Sequence, residues 1–249
     1  MAKKKKRRRP VAPPQDRSAS AVPSPARQER KAARREREEQ ARKAEARRGA
    51  FRRALIGGFV GLLVFVGISW FNRAPAPTPF SGEALNASTA AGCSDVQTPT
   101  ADPQRNHLQP GQSYDYPDHP ATSGPHDPTP LPDEPRVYTD VSTYRETMAV
   151  HSLEHGSVIM YYRPTADRDG LPQDVVDALA PVANGNKATY LIPYPDLPEG
   201  TGLAYTAWNK LMTCPAKITS NQAVTVANGW ITSFACTSNA PEPRNGPGC

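Results

Sequence analysis

The chain has 249 residues and a formal net charge of +6, and this charge is distributed very unevenly along it. Residues 1–53 contain 20 Lys and Arg against 6 Asp and Glu, whereas the rest contains 10 against 18. The two parts therefore carry net charges of +14 and −8. Such asymmetry excludes one uniformly basic domain and indicates a basic tail attached to a different kind of module.

The basic tail, residues 1–53, lacks the apolar residues that a core requires. Residues 1–25 combine a Lys/Arg run with Pro, Ser and Ala, a composition that predicts disorder. Residues 26–50 are rich in Arg, Glu and Ala, with Glu38 and Arg42 at helical spacing, which predicts a solvated charged helix. We expect the basic residues to be solvated or to attract anionic lipid headgroups. Nucleic acid is a weaker alternative, because no aromatic stacking residue is interleaved with the charge.

Residues 54–71 form an apolar stretch without a charged side chain. As a helix this stretch would be about 27 Å long, enough to cross the hydrocarbon core of a lipid bilayer. A secretory signal peptide is a poorer interpretation, since the basic leader is far longer than such peptides use. The sequence therefore predicts a single transmembrane helix in the cell membrane, with the basic tail in the cytoplasm and the rest outside.

Beyond this stretch, composition divides the chain into a tether, a domain and a tail. Residues 72–92 are rich in Pro, Ala, Ser and Thr and predict an extended tether. Residues 93–237 predict an extracytoplasmic domain, long enough at about 145 residues for one hydrophobic core. Residues 238–249, rich in Pro, Gly and Asn, predict a disordered tail.

All four cysteines follow the predicted membrane span, on the side where disulfides form. Four cysteines allow three pairings, and spacing alone does not choose among them. We expect Cys214 to pair with Cys236, because that bond would join the end of a strand to the last helix.

The predicted domain is of the α+β class, with two unlike halves. Up to about Asp140 it is dense in Pro, His, Asp and Tyr without periodicity, and we expect loops that contain the histidines. The second half predicts the order β-α-β-β-α, which forms a layer of helices on a sheet. These elements are Val158–Arg163, a helix beginning at Pro172, Thr189–Tyr194, Leu203–Trp208 and an amphipathic helix at Asn221–Phe234.

All five histidines lie between His107 and His155, and two of them occur in the motif His151-Ser-Leu-Glu154-His155-Gly156. The pattern from Thr143 to Glu146 has the form of a capping box, and Gly156 suits the left-handed residue that ends a helix. The motif therefore predicts a short helix that turns into a strand. Residues four apart share one face of a helix, so both imidazoles of the motif can reach one metal ion.

Two motifs resemble those of an uncharacterised bacterial family of membrane-anchored proteins, known only as a domain of unknown function. They are Pro-Ala-Thr-Ser-Gly-Pro-His126 and the histidine motif that begins at His151. Further matching residues are Cys93, His107-Leu108, Gly111, Tyr114, Tyr205-Thr-Ala-Trp208 and the region of Cys214. The resemblance covers most of residues 93–236. It implies a bacterial envelope protein with one domain outside the membrane, and it implies no particular activity.

The clustered histidines predict a transition-metal site. His126, His151 and His155, with His107 as a fourth ligand, supply enough imidazoles for zinc or copper. We expect Glu154 to orient one of these imidazoles rather than to bind the metal. Two further groups belong to this hypothesis: His119 as a reserve ligand, and Met148 and Met160, which would favour Cu(I) if either faced the site.

Two other functions are compatible with the sequence. His151-x-x-Glu154-His155 fits the H-x-x-E-H pattern of one class of zinc hydrolases. Those enzymes need a long helix and a downstream carboxylate ligand, and a strand is predicted directly after Gly156, so we assign no catalytic residue. The other alternative is a non-catalytic protein-interaction module in which the histidines form structural hydrogen bonds. That interpretation leaves their clustering unexplained.

Overall fold

The computed structural model describes residues 25–71, 74–100, 102–243 and 249, and of residues 25–28 and 66–71 it describes the backbone alone. The chain divides into two compact units, Met1–Phe71 and Asn72–Cys249. Apart from Pro25, the segment for which disorder was predicted at the N-terminus lies outside the described residues.

In the first unit, the described residues form one helix, α1 (Pro25–Phe71). Its N-terminal part is rich in Arg, Lys, Glu and Ala, which favour helices, and Arg34 Nε donates to Glu38 Oε1 at 2.8 Å. Among the described residues, no helix is both long enough and apolar enough to cross a membrane. The transmembrane helix predicted for residues 54–71 is therefore not supported, and positions 66–71 lie outside the side chains that are described.

The second unit is an α+β fold with a four-stranded mixed sheet. Its strands are β1 (Val158–Tyr162), β2 (Thr189–Pro193), β3 (Leu203–Ala207) and β4 (Lys210–Cys214). The strand order is β2-β1-β3-β4, with β1 parallel to β2 and the other pairs antiparallel. Val158 lies opposite Thr189 in the parallel pair, and Met160 lies opposite Tyr205 in the antiparallel pair.

Helices and loops cover both faces of this sheet. The helices of the second unit are α2 (Gly82–Ala91), α3 (Glu146–Glu154), α4 (Gln173–Gly185) and α5 (Ser220–Phe234). Val158 and Met160 of β1 belong to the core formed with α4 and α5. Ile159 and Tyr161 belong to a second core formed with α3 and the loop-rich half. Because both faces are covered, every residue of β1 is buried.

The five predicted elements of the second half are present, but the observed order is β-α-β-β-β-α because strand β4 lies between β3 and α5. Strand β4 and helix α2 were not predicted. Strand β4 follows β3 after a tight turn at Asn209, whose φ of +53° is left-handed. That turn lacks the glycine that marks most hairpins, so no hairpin signal is present there. Helix α2 lies in the segment predicted to be an extended tether, because its Ala and Ser residues are also typical of linkers.

Helix α2 packs closely against α5 through small residues. A Cβ added to Gly229 of α5 would lie 2.2 Å from the Cβ of Ala84. Phe80, just before α2, makes an edge contact with Trp230 at a ring-centroid distance of 5.9 Å. The segment before Cys93 is thus part of the folded unit from residue 82 onward, rather than an extended chain.

The predicted pairing of Cys214 with Cys236 is wrong, because Cys93 bonds to Cys214 and Cys236 bonds to Cys249. After α2 the chain runs beside β4, where Ser94 N–H donates to Thr213 O at 2.8 Å. This pairing places Cys93 next to Cys214. Since neither α2 nor β4 was predicted, their contact could not be inferred from the sequence.

We predict that Gly229→Ala destabilises the second unit, because the added methyl group collides with Ala84. Overpacking of this kind costs about 1–3 kcal/mol of unfolding free energy. Gly185→Ala is the matched control, since an added Cβ there meets nothing within 4 Å. Urea denaturation of both variants measures the difference. Equal stability of the two would show that α2 does not pack on α5.

Candidate metal centre

Helix α3 carries the histidine motif and begins two residues later than the capping pattern predicts. Thr143 ends a short 3-10 turn, and α3 starts at Glu146 after an extended residue at Arg145. At the other end, Gly156 has the predicted left-handed conformation, with φ +89°. The chain then enters β1 two residues later, as the sequence predicted.

One face of α3 anchors the helix in the core. Ala149, Val150 and Leu153 are fully buried in the cluster shared with Ile159 and Tyr161 of β1. His151 and Glu154, also in α3, are outside this apolar cluster and approach histidines from the loop-rich half. Packing of α3 on the sheet therefore determines where these two polar side chains lie.

His107 and His126 come to α3 on two short extended segments that pair with each other. Leu108 N–H donates to His126 O at 2.8 Å, and His126 N–H donates to Asn106 O at 3.2 Å. This parallel bridge places the His107 ring 5.0 Å and the His126 ring 4.7 Å from the ring of His151, measured between centroids. The predicted loops are thus held in register by main-chain hydrogen bonds.

These segments bring four potential metal ligands together. One ligand atom from each of His107, His126, His151 and Glu154 lies within 4.8 Å of all the others. Ligand atoms about 2.0–2.2 Å from one metal ion lie roughly 3–4 Å apart, so the group needs little adjustment to surround an ion. His126, His151 and Glu154 are buried, whereas His107 is exposed.

The rings of three histidines are oriented by main-chain carbonyl groups. His126 Nδ1 lies 2.8 Å from Gly124 O, His151 Nδ1 contacts Asp127 O, and His155 Nδ1 lies 3.2 Å from Glu242 O. A carbonyl oxygen only accepts hydrogen bonds, so each Nδ1 must carry a proton. In a neutral imidazole the remaining nitrogen, Nε2, then presents a lone pair.

These lone pairs face other acceptors. His126 Nε2 lies 3.0 Å from Glu154 Oε2, yet this buried nitrogen has no hydrogen-bond partner by geometry. His151 Nε2 lies 2.8 Å from His155 Nε2. With every Nδ1 protonated, the contact between the two Nε2 atoms holds a proton only if a ring becomes positively charged. The contact between His126 and Glu154 holds a proton only if the ring is positively charged or the carboxyl group is protonated. A cation between the acceptors would make both contacts favourable, as in histidine metal sites whose Nδ1 protons bind carbonyl groups.

Burial sets the protonation of these groups. It lowers the pKa of His126, and it lowers the pKa of His151 to about 4. Both rings therefore resist protonation at neutral pH, and a neutral imidazole is the form that binds metals. Burial also raises the pKa of Glu154, to which the nearby Glu242 carboxylate contributes.

A cleft of about 550 Å³ opens onto this cluster from the solvent. His107, His151 and Glu154 form part of its wall. Its other lining residues are Arg105, Pro128, Pro130, His155 and Glu242. An ion or a small ligand could therefore reach the cluster without unfolding of the domain.

The structure places the other predicted site residues as follows. His155 contacts His151 but does not belong to the group of four, and Glu154, expected only to orient an imidazole, lies within that group. His119 is elsewhere, with its Nδ1 3.0 Å from Tyr194 Oη. Met148 and Met160 pack in the two apolar cores, so the condition under which they would favour Cu(I) is not met.

Asp127 and Glu242 were not predicted, although both contribute carbonyl groups that orient histidines. The Asp127 side chain is also buried, and its carboxylate pairs with Arg145 and accepts a hydrogen bond from Thr129 N–H at 2.9 Å. Burial alone would raise the pKa of Asp127, but these hydrogen bonds lower it below its usual range. An acidic residue directly after His126 was the available sequence signal, whereas nothing marked Glu242.

The fold and the cluster define an α+β domain whose histidines and glutamate could hold a metal ion. The chain belongs to the family described as protein of unknown function (DUF3105), whose model matches residues 107–246. This match begins at His107 and includes every residue of the cluster. It confirms the resemblance to a family of unknown function, and it does not address bacterial origin or membrane anchoring. No curated protein and no solved structure matches the chain.

We predict that the metal-free protein loses stability as pH falls from about 6.5 to about 4. An unfolded histidine has a pKa near 6.5, whereas burial lowers the pKa of His151 to about 4. Between these values only the unfolded state binds the proton, so the contribution is complete above pH 6.5 and lost by pH 4. This contribution of His151 to the free energy of unfolding amounts to roughly 2–3 kcal/mol.

Urea denaturation in the presence of a chelator, from pH 7 to pH 4.5, measures this dependence. His151→Asn is the comparison, because its amide nitrogen can replace Nδ1 in the hydrogen bond to Asp127 O. The variant should show a shallower decline of stability with falling pH. Parallel declines for the two proteins would contradict the prediction.

Proposed function

We propose that this domain binds one transition-metal ion, zinc or copper, through His107, His126, His151 and Glu154. The observation that carries the proposal is the direction of the lone pairs. His126 and His151 commit Nδ1 to main-chain carbonyl groups and leave Nε2 facing other acceptors. Imidazole nitrogen with a single carboxylate oxygen is a ligand set that suits zinc or copper.

Glu154 is assigned to the ligands rather than to a supporting role. An orienting carboxylate accepts a hydrogen bond from an imidazole N–H, but the Nδ1–H groups of His126 and His151 already donate to carbonyl groups. His126 Nε2, the nitrogen nearest to Glu154, has no proton to donate in the neutral ring. A negative charge buried beside neutral imidazoles is instead stabilised by a bound cation.

The same arrangement disfavours the hydrolase interpretation. In the H-x-x-E-H enzymes the glutamate acts as a general base on a water molecule. Here Glu154 lies 3.0 Å from His126 within the prospective ligand group, where a metal would occupy its carboxylate. Helix α3 also ends at Glu154, so His155 is already the residue that caps the helix.

The proposal is tested by the thermal stability of the full-length protein with chelator, zinc or copper. A metal bound to the folded state raises stability by about 4 kcal/mol at a free concentration a thousandfold above its dissociation constant. We predict that His151→Ala and His126→Ala abolish this metal-dependent rise. Glu154→Gln should lower the metal affinity by at least roughly 10-fold.

The control variant is His119→Ala, which removes an imidazole that lies outside the cluster and contacts Tyr194. It should retain the full metal-dependent rise, whatever its own stability. Elemental analysis of the purified protein should also find close to one equivalent of metal. Identical melting of the unmodified protein with chelator, zinc and copper would show that the histidines are structural, as in a protein-interaction module.

We also propose that residues 54–71 anchor the chain in a membrane, with the basic tail in the cytoplasm and the metal-binding domain outside. The support is the absence of charge in this stretch together with the exposure of its large apolar side chains on α1. Those described as exposed are Leu55, Ile56, Phe59, Val60, Leu62, Leu63, Val64 and Phe65. Two disulfides in the second unit fit an oxidising compartment outside the cytoplasm.

For this anchor we predict that the expressed protein fractionates with membranes and resists extraction by high salt. Replacing Leu62 and Leu63 by Lys should release it, because each charge at the centre of a span costs roughly 2.5–3.5 kcal/mol. Replacing Ala41 and Ala44, which lie in the charged part of α1, by Lys is the control and should leave it bound. Unmodified protein in the soluble fraction would overturn the anchor.

A further inference from the structure

The C-terminal strap, residues 236–243, lies across the end of α3. Cys236 N–H donates to Gly156 O at 2.9 Å, and Glu242 N–H donates to Glu154 O at 3.0 Å. Within the strap, Ala240 is buried, and Asn239 Nδ2 donates to Trp208 O at 2.8 Å. These contacts fix the strap to both the histidine motif and the β3–β4 turn. Residues 238–249 were predicted to be a disordered tail, but contacts with the histidine motif and with Trp208 hold part of this segment in place.

The strap passes close to the main chain at Gly156, just after the end of α3. A Cβ at this position would lie 3.2 Å from Cys236 Cα and 3.3 Å from Pro243 Cα. The position also has a φ of +89°, which side chains with a Cβ rarely adopt. Glycine therefore serves two purposes here, since it ends the helix and leaves room for the main chain of the strap.

The strap orients His155. Glu242 O accepts a hydrogen bond from His155 Nδ1 at 3.2 Å, and this contact directs His155 Nε2 to within 2.8 Å of His151 Nε2. Two nitrogens about 2 Å from one metal ion lie roughly 3 Å apart. His155 is thus placed to join His151 on the same ion, although it lies one residue beyond the end of α3.

A disulfide holds the strap. Cys236 at its start bonds to Cys249, and Cys249 is exposed to solvent. The other disulfide differs in this respect, because Cys214 is 1 % exposed and lies in the core below α5. A thiol reductant in solution therefore has readier access to the Cys236–Cys249 bond than to the Cys93–Cys214 bond.

We propose that the strap positions His155 as an additional ligand of the bound metal, and that the Cys236–Cys249 disulfide sets the metal affinity. This inference rests on the proposed metal-binding function. Reduction by a dithiol transfers two electrons and two protons to the protein disulfide. The dithiol becomes a cyclic disulfide, and Cys236 and Cys249 become free thiols. The strap then loses its covalent closure, the contact from Glu242 O to His155 loosens, and metal is held less tightly.

The test is the zinc affinity of the full-length protein, measured by competition with a chelating indicator dye. Cys236→Ser/Cys249→Ser should bind zinc roughly 10-fold more weakly, the loss typical of removing a group that orients a ligand. Serine is used because a free thiol could itself bind zinc. Cys93→Ser/Cys214→Ser is the matched control. It removes the other disulfide and should lower the melting temperature while leaving zinc affinity unchanged.

A double-mutant cycle tests whether the effect passes through His155. His155→Ala alone should weaken zinc binding at least as much as loss of the disulfide. Added to Cys236→Ser/Cys249→Ser, it should give less than the sum of the two separate effects, because both remove the same ligand. The visible spectrum of bound Co²⁺ should change in the same variants, since it reports the number of ligands.

A second variant tests the inference in a protein that keeps both disulfides, so that misfolding of the disulfide mutant cannot explain the result. Glu242→Pro removes the N–H that donates to Glu154 O, together with the Glu242 carboxylate, and should weaken zinc binding in a protein with both disulfides. Glu242→Ala removes the same carboxylate but keeps the main-chain groups, so it is the reference against which Glu242→Pro should bind zinc more weakly.

Pretreatment with a dithiol, followed by anaerobic alkylation of the freed thiols so that they cannot bind zinc, should weaken zinc binding of the unmodified protein. It should leave Cys236→Ser/Cys249→Ser unaffected. If the unmodified protein binds zinc but neither strap variant differs from it, the inference is wrong and the proposed function stands. If the unmodified protein binds neither zinc nor Co²⁺, both are wrong.

Discussion

Coverage of the sheet on both faces is the constraint on which the second unit depends. Strand β1 has no exposed residue, and its side chains alternate between a core with α4 and α5 and a core with α3. A strand in this position cannot shift by one residue without exchanging the two cores. Since α3 leads into β1 through Gly156, the position of the histidine motif follows from the register of β1.

The polar cluster forms where the regular half of the domain meets the loops. Helix α3 supplies His151 and Glu154 from the regular half, and a single main-chain bridge supplies His107 and His126 from the loops. Main-chain carbonyl groups orient the rings, so their Nε2 atoms converge without help from neighbouring side chains. The loops also contribute buried apolar side chains, Tyr116 and Leu131 among them, to the core shared with α3.

The sequence predicted the regular half well, because its strands and helices carry local signals. The apolar run at Val158 begins β1 at the predicted residue, and the amphipathic helix predicted from Asn221 to Phe234 is α5, which begins one residue earlier. Helix α2 has no such signal, since its small residues are meaningful only against Gly229 of α5. The disulfide prediction failed for the same reason, because both observed bonds depend on contacts that local patterns do not encode.

For the site, the spacing of residues in the sequence indicated which side chains cluster. It did not indicate how the folded chain arranges them around one point. His151 and Glu154 were correctly expected on one short helix, and clustering of histidines in sequence indicated His107 and His126. That Glu154 lies among these side chains depends on where the bridge between His107 and His126 runs, and no short-range pattern encodes that path. The carbonyl of Glu242 was beyond prediction, because any residue type provides the same group.

The bridge between His107 and His126 also means that the cluster forms only when distant parts of the chain have come together. Its members come from separate parts of the chain, and the loops between them must close before the side chains meet. A nascent or unfolded chain therefore offers isolated imidazoles, whose affinity for an ion is that of single ligands. A metal that this cluster bound would need ligands from all of these parts, so it would be taken up where the domain is folded.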